Sequence, residues 1–368
     1  GLELLIVAGD RDIPRLAAAP FRRGVLSLDH LDFVSGAAPE AFAALAGGAP
    51  DWEPRLVWRR PGSPPRVLVR SPSAVMPLCL QQTAAPACGK AARFVGRALA
   101  AGQQAWETGG ETLPPQPPTA LPDDRTMRRF LPRLLGRHLA VAWRGITCRP
   151  QWFLALRRGG GDPFDGQGYT PLYPPPHRGW ADPFPVRHGD QTYLFIEEID
   201  QGTGRGRIAV MTEQADGGFS APQTVLSRPH HLSYPFVFTW QDHFYLVPES
   251  GAAASVDLYR ATRVPLEWEL VGPLLPGLRA MDSTLFPHDD RWWLMTNIRE
   301  PGGSSWDEMS LFSADTPLGP FAPHPANPVV SDVRRARPGG RRGPAPPATP
   351  PAGRHRPDCP PDLARPGQ

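Results

Sequence analysis

A chain of 368 residues, 40% hydrophobic and 20% charged, is long enough for two domains with cores of their own. Its net charge of +3 is too small to argue for nucleic acid, and no apolar run approaches the length of a membrane span. The four cysteines show neither metal-ligand spacing nor a disulfide framework, so no metal or cofactor is expected and a reducing, cytoplasmic setting is.

Leu2-ELLIVAG is a continuous apolar run of strand length, as a buried parallel strand requires. Residues 10–20 predict a short helix, and Gly24-VLSLDH a second strand. Gly1 stands against the first strand, so the expectation is that the segment is N-terminally truncated. Pro39-EAFAALAGG predicts a helix stopped by glycine. Arg55-LVWRR and Arg66-VLVRS predict strands, and residues 85–103 a helix. Strand and helix in this order define an α/β layer over 1–105.

Residues 106–150 read as a linker and a basic helix. Thr108-GGETLPPQPPTALPDD is a Gly/Pro-rich spacer, and Asp123 or Asp124 can cap a helix over 125–138. Its arginines, Arg128, Arg129, Arg133 and Arg137, suit either an anionic partner or a solvated face. Residues 151–157 predict a strand, which could be the outer strand that closes a ring.

From 151 to 333 a repeat organises the chain. Asp182-PFPVRHGDQTYLFIEE, Tyr234-PFVFTWQDHFYLVPES and Asp282-STLFPHDDRWWLMTNI align without a gap. Each has an apolar run, a polar turn and an aromatic-rich run, which predicts a hairpin. Each is followed by a second predicted strand pair, and the copies recur at about 50 residues, the spacing of propeller blades. The expected fold is all-β, a five-bladed β-propeller type left incomplete with about three blades. A fourth copy should begin near Arg337, where a Pro/Arg/Gly tail stands instead. Residues 334–368 are expected to be disordered, with a composition suggesting a shifted reading frame.

In a blade, the start of the first strand and the end of the second share one mouth of the channel. That gathers Asp182, Tyr234 and Asp282 with Glu197, Glu198, Glu249 and Asn297. Trp180, His231 and Trp306 fall on or near the connecting segments. Carboxylates that bind hydroxyls beside rings that stack on sugar faces make a carbohydrate site. Each residue also has a structural reading: Asp182 and Asp282 as turn residues, Glu249 as a loop cap, His231 as a surface histidine.

Two resemblances bear on these readings. Leu4-LIVAGDRDIPRLAAAPFRRGVLSLDH resembles the formyltransferase-like hydrolase segment of the methionyl-tRNA and sugar formyltransferases. Where that family has an Asn-x-His pair, this chain has Ser27 and Asp29, with His30 out of register, so the resemblance implies a degenerate site. Trp180-ADPF, Tyr193-LFIEE, His231-LSYPFVF, Val247-PES, Asp282-STLF and Arg291-WWLM are similar to the N-terminal domain of glucosamine inositolphosphorylceramide transferase. Bacterial relatives of that domain carry a formyltransferase-like segment in front. The domain is distantly similar to the glycoside hydrolase family 43 propellers, which work by inversion with an Asp base and a Glu acid. The resemblance implies Asp182 as base, Glu249 as acid and Asp282 as third carboxylate. The order departs from those hydrolases, since Tyr234 opens the second hairpin and Asp282 follows Glu249.

The expected function is therefore binding or modification of a carbohydrate or glycolipid in bacterial glycan metabolism. The alternatives are an inverting glycoside hydrolase using Asp182 and Glu249, a non-catalytic protein-interaction propeller, and a sugar formyl or acyl transferase.

Overall fold

The structure is a computed structural model that describes residues 3–8, 21–28, 38–114, 119, 121–148, 151–159, 168–299 and 304–336. Asp29, His30, the helix expected over 10–20 and the tail beyond 336 lie outside the described residues. By their contacts the described residues form two compact units. One runs to Val141 and takes in 304–308 and 330–336; the other holds 142–299 and 309–329.

In the first unit, β1 (Leu4–Ala8) pairs in parallel with β2 (Gly24–Leu28), Leu4 opposite Gly24. All five residues of β2 are buried, as a continuous apolar strand inside a sheet should be. α1 (Pro39–Gly47) ends as expected on a left-handed glycine, Gly48, whose N–H closes back on the last turn. There follow β3 (Asp51–Trp52), β4 (Arg55–Arg59), β5 (Arg66–Arg70), β6 (Ser73–Ala74), α2 (Leu80–Thr108), β7 (Glu111–Thr112) and α3 (Asp124–Thr147), whose residues from Ala142 on are counted with the second unit. The main sheet has the order β1-β2-β4-β5-β7 and is antiparallel after its first pair. Leu26, Leu28, Leu56 and Trp58 from the sheet bury against Ala87, Ala91, Phe94 and Ala98 of α2. α2 is longer than the sequence predicts because two helical runs meet at Gly102, which takes φ 78° between them.

α3 is capped by Asp123, whose carboxylate accepts the Thr126 N–H at 2.8 Å. The Thr126 side chain first, and then this N–H, hold the Asp123 carboxyl below its ordinary value. The helix runs on past the expected end at 138, through Leu139-Ala-Val-Ala-Trp. The segment 304–308 joins this unit through Lys90. Its ammonium is buried and donates to Ser71 Oγ and Ser73 Oγ, each at 2.8 Å, and to Asp307 Oδ2 at 2.7 Å.

The second unit is almost wholly antiparallel sheet. β8 (Leu154–Leu156) pairs with β9 (Thr170–Leu172) in a two-stranded sheet of their own. The strand expected to close a ring is thus paired locally. β10 (Arg178–His188), β11 (Gln191–Asp200), β12 (Arg205–Thr212) and β13 (Gln223–Leu226) form one four-stranded meander. β14 (Ser233–Trp240), β15 (His243–Glu249), β16 (Ser255–Arg263) and β17 (Glu267–Pro276) form the next. β18 (Ala280–His288), β19 (Arg291–Ile298), β20 (Glu308–Ala314) and β21 (Ala322–Pro323) make a third run in the same order. β22 (Val330–Ser331) ends the described chain's strands.

The three aligned stretches are the three leading hairpins of these sheets. Their loops hold two residues, and Gln241-Asp242 and Asp289-Asp290 both have positive φ at both positions, the signature of a type I′ turn. Aromatic residues pack the sheets face to face. Phe184 meets Phe236 edge-on at 5.3 Å, and Phe238 lies 5.7 Å from Trp292. One core, built on Phe236, Tyr245, Val247, Leu258, Leu294 and Phe312, is shared by the second and third sheets. The described structure is therefore mostly β with few helices, its second unit built on three antiparallel meanders.

Candidate functional site

The site grows out of one irregularity that occurs three times. In each leading hairpin the pairing register slips by one residue, between Ala181 and Phe184, between Ser233 and Phe236, and between Met281 and Thr284. At each slip one residue is left-handed: Asp182 at φ 46°, Tyr234 at 43° and Asp282 at 52°. A bulge of this kind turns a side chain out of the alternation and frees its backbone N–H. Left-handed backbone costs an L-residue about 1–2 kcal/mol and is tolerated best by Asp and Asn, so a tyrosine there is an outlier. Strain repeated at equivalent positions points to a job for the side chains that it re-aims.

The partner strand supplies a second equivalent set. Glu197 lies opposite Ala181, Glu249 opposite Ser233 and Asn297 opposite Met281, each just before the slip. The freed backbone groups are then satisfied by carboxylates of the preceding hairpin. Asp182 Oδ2 accepts the Tyr234 N–H at 3.1 Å, and Glu249 Oε2 accepts the Asp282 N–H at 3.3 Å. The Tyr234 hydroxyl lies 2.9 Å from Thr284 Oγ1.

Two carboxyl pairs result. Glu197 is hydrogen-bonded to Asp182, and Glu249 to Asp282. Burial is the first reason that Glu249 is pushed from 4.5 up to about 8, and the Asp282 charge is the second, with Asp182 adding a smaller push. Burial likewise raises Glu197, against the pull of its bond to His231. Tyr234 is raised by burial and by the charges of Asp282 and Asp182 on either side.

His231 closes the cluster on one flank. Its Nε2 lies 3.0 Å from Glu197 Oε1, and its Nδ1 accepts the Gly206 N–H at 2.9 Å. The Glu197 carboxyl draws the imidazole above its ordinary range, whereas the Gly206 bond needs a lone pair on Nδ1. The geometry is that of a neutral ring donating from Nε2 to Glu197. A methyl group on Gly206 would come within 2.5 Å of Glu197 Oε1 and 2.9 Å of His231 Cε1, so only glycine leaves room for the pair.

Asp182, Glu197, His231, Tyr234, Glu249 and Asp282 are thus brought together, and Asn297 is buried in the third equivalent position. Trp180 and Glu198 are not. Successive strand residues face opposite sides, and Trp180 pairs with Glu198 on the face away from Glu197. There Trp180 is buried with Leu154, Leu194 and Ile196, and Glu198 binds Arg207 at 2.6 Å. Trp306 belongs to the 304–308 segment of the first unit, where its N–H bonds Ser304. Ser27 is buried in β2, its hydroxyl bonded to the Val57 carbonyl and accepting from Arg59. Gly206 and Thr284 are the residues that the sequence reading missed; a Gly before an apolar strand was the available signal for the first. Among the described residues no group of His, Cys, Asp and Glu is arranged to hold a metal.

Comparison with known proteins places the repeat. Residues 175–345 match the family model described as glucosamine inositolphosphorylceramide transferase 1, N-terminal. Glucosamine inositolphosphorylceramide transferase 1 of Oryza sativa subsp. japonica is 35% identical over 165 residues, 44% of this chain and 22% of that protein. The Arabidopsis thaliana protein of the same name is 34% identical over 165 residues, 44% of this chain and 21% of its own. The chain thus spans about a fifth of the length of the curated relatives it matches. Among solved structures, Zg3597, a family 117 glycoside hydrolase of Zobellia galactanivorans, is 18% identical with a TM-score of 0.37, covering 49% of this chain and 63% of that one. A thermostable family-43 glycoside hydrolase is 18% identical with a TM-score of 0.34, covering 41% and 56%.

Proposed function

We propose that the bulged ends of the three hairpins form a carbohydrate site, and that the sheets are three blades of a propeller serving glycan or glycolipid metabolism. The observation that carries this reading is the pair of hydrogen-bonded carboxyls, Asp182 with Glu197 and Glu249 with Asp282, set at strained and equivalent positions. Carboxylates accept hydrogen bonds from sugar hydroxyls, and Tyr234 offers a ring and a hydroxyl beside them. The sequence likeness to a glycolipid glycosyltransferase's N-terminal domain supports the same class of ligand.

A second reading follows from Glu249 alone. A carboxyl raised to about 8 keeps its proton at neutral pH, as a general acid for a glycosidic oxygen must. Asp182 would then activate water for inversion, which requires the two carboxyls to stand about 6.5–9.5 Å apart. The test is a glycan array and a hydrolysis assay on the intact chain beside Asp182→Asn and Glu249→Gln. Binding that both variants abolish, without sugar release by the parent, fits the binding site. Sugar release lost in both variants fits the hydrolase. A parent that binds no glycan sinks both readings.

A further inference from the structure

α3 presents two apolar faces where docking needs one. Its inner face is spent: Phe130 packs on Phe42 at 5.0 Å and on Leu45, with Met127 and Leu134 beside it. Arg137 donates to the Leu45 and Pro77 carbonyls, and His138 contacts the Leu78 carbonyl at 3.2 Å. A surface helix held in this way ordinarily turns polar residues to water. Here Leu131, Leu135 and Leu139 recur every four residues on the outside, 52%, 60% and 61% exposed. The helix carries six arginines and one aspartate, and Arg125, Arg128, Arg129 and Arg133 are all exposed.

We infer that α3 lies on an anionic lipid surface, with the Leu131–Leu135–Leu139 stripe in the acyl boundary and the exposed arginines on lipid headgroups. The charge decides between occupants. A second copy of this helix would bring arginine-rich flanks against each other, whereas an anionic bilayer neutralises them. Arginine stems can also lie along apolar surface while their heads reach the headgroups. No described helix is long and apolar enough to cross a membrane, so the contact is one of lying on the surface. The inference rests on the helix alone and is independent of the carbohydrate reading.

Co-sedimentation of the intact chain with phosphatidylcholine vesicles, with and without phosphatidylglycerol, tests it. The chain should sediment with the anionic vesicles, and less so as salt rises. Leu135→Glu with Leu139→Glu should abolish binding while the melting temperature holds. Arg129→Gln with Arg133→Gln should weaken it by about fivefold per arginine, which guards against a folding artefact. Three outcomes would overturn the proposal: no sedimentation with either vesicle, equal sedimentation with both, or a dimer in light scattering that the leucine variant splits.

Discussion

A carboxyl buried beside another carboxylate resists losing its proton, and Glu249 is in both situations at once. Its ordinary value is 4.5 and its value in the fold is about 8. Between those values the folded state holds a proton that the unfolded chain has released, so stability falls as pH rises through that window. Glu249→Gln keeps a hydrogen-bond donor toward Asp282 and has no proton to lose. The variant should match the parent in urea melts near pH 5 and exceed it above pH 8, by a margin on the order of a few kcal/mol. Parallel curves for the two proteins across that range would remove the buried-acid reading. His231 has the same sign in isolation, since a raised imidazole also holds a proton in the fold that the unfolded chain releases as pH rises. The Gly206 N–H opposes that charge, so His231 should add little to the slope. Asp182, Glu249 and Asp282 were legible as a group because the aligned copies put them at equivalent places. His231 was legible only as a candidate, because its role depends on a glycine 25 residues away in sequence.

At the scale of the hairpin, two kinds of left-handed residue serve different ends. Gln241 and Asp242, at φ 48° and 62°, only reverse the chain between β14 and β15. Asn-Gly is the pair that a type I′ turn favours, and relief of left-handed strain of about 1–2 kcal/mol should outweigh the roughly 0.5–1 kcal/mol of chain entropy that glycine costs. The double substitution Gln241→Asn, Asp242→Gly should therefore raise the urea midpoint and leave glycan binding unchanged. Tyr234→Gly relieves comparable strain at the bulge but deletes the ring and its bond to Thr284, so a stability gain there should come with lost binding. If the turn variant lost binding too, the division between structural and functional strain would fail. The hairpins themselves were legible, since alternating apolar runs around HGD, QDH and HDD specify strand, turn and strand. The bulges were not. A register slip is set by how neighbouring sheets pack, and nothing in the letters around Tyr234 marks an aromatic residue as left-handed. Plain strand alternation, not the slip, puts Trp180 and Glu198 on the far face, although both stand at the same end of the hairpin as Glu197.

Across the whole molecule, the chain returns to its first unit after building most of the second. Asp307 comes 217 residues after Lys90, yet its carboxylate is the counter-ion of an ammonium that is 2% exposed. Beside it, Arg93 pairs with Glu308, and Ser331 Oγ lies 2.8 Å from Ser71 Oγ and donates to Glu308 Oε1 at 3.0 Å. No periodicity announces this, because a buried ion pair between distant segments leaves no local pattern. Its energetics are asymmetric. A paired buried charge contributes little net stability over an apolar replacement, but a charge left alone costs about 3–5 kcal/mol. Asp307→Ala should thus lower the melting of the first unit by that amount, because Ser71 and Ser73 alone must then solvate Lys90. Lys90→Met combined with Asp307→Leu should recover most of the loss, having no charge to strand. Scanning calorimetry of the intact chain can follow this, since two units that melt separately give separate transitions. An Asp307→Ala protein whose transitions coincide with the parent's would show that the Lys90–Asp307 pair does not hold 304–308 to the first unit.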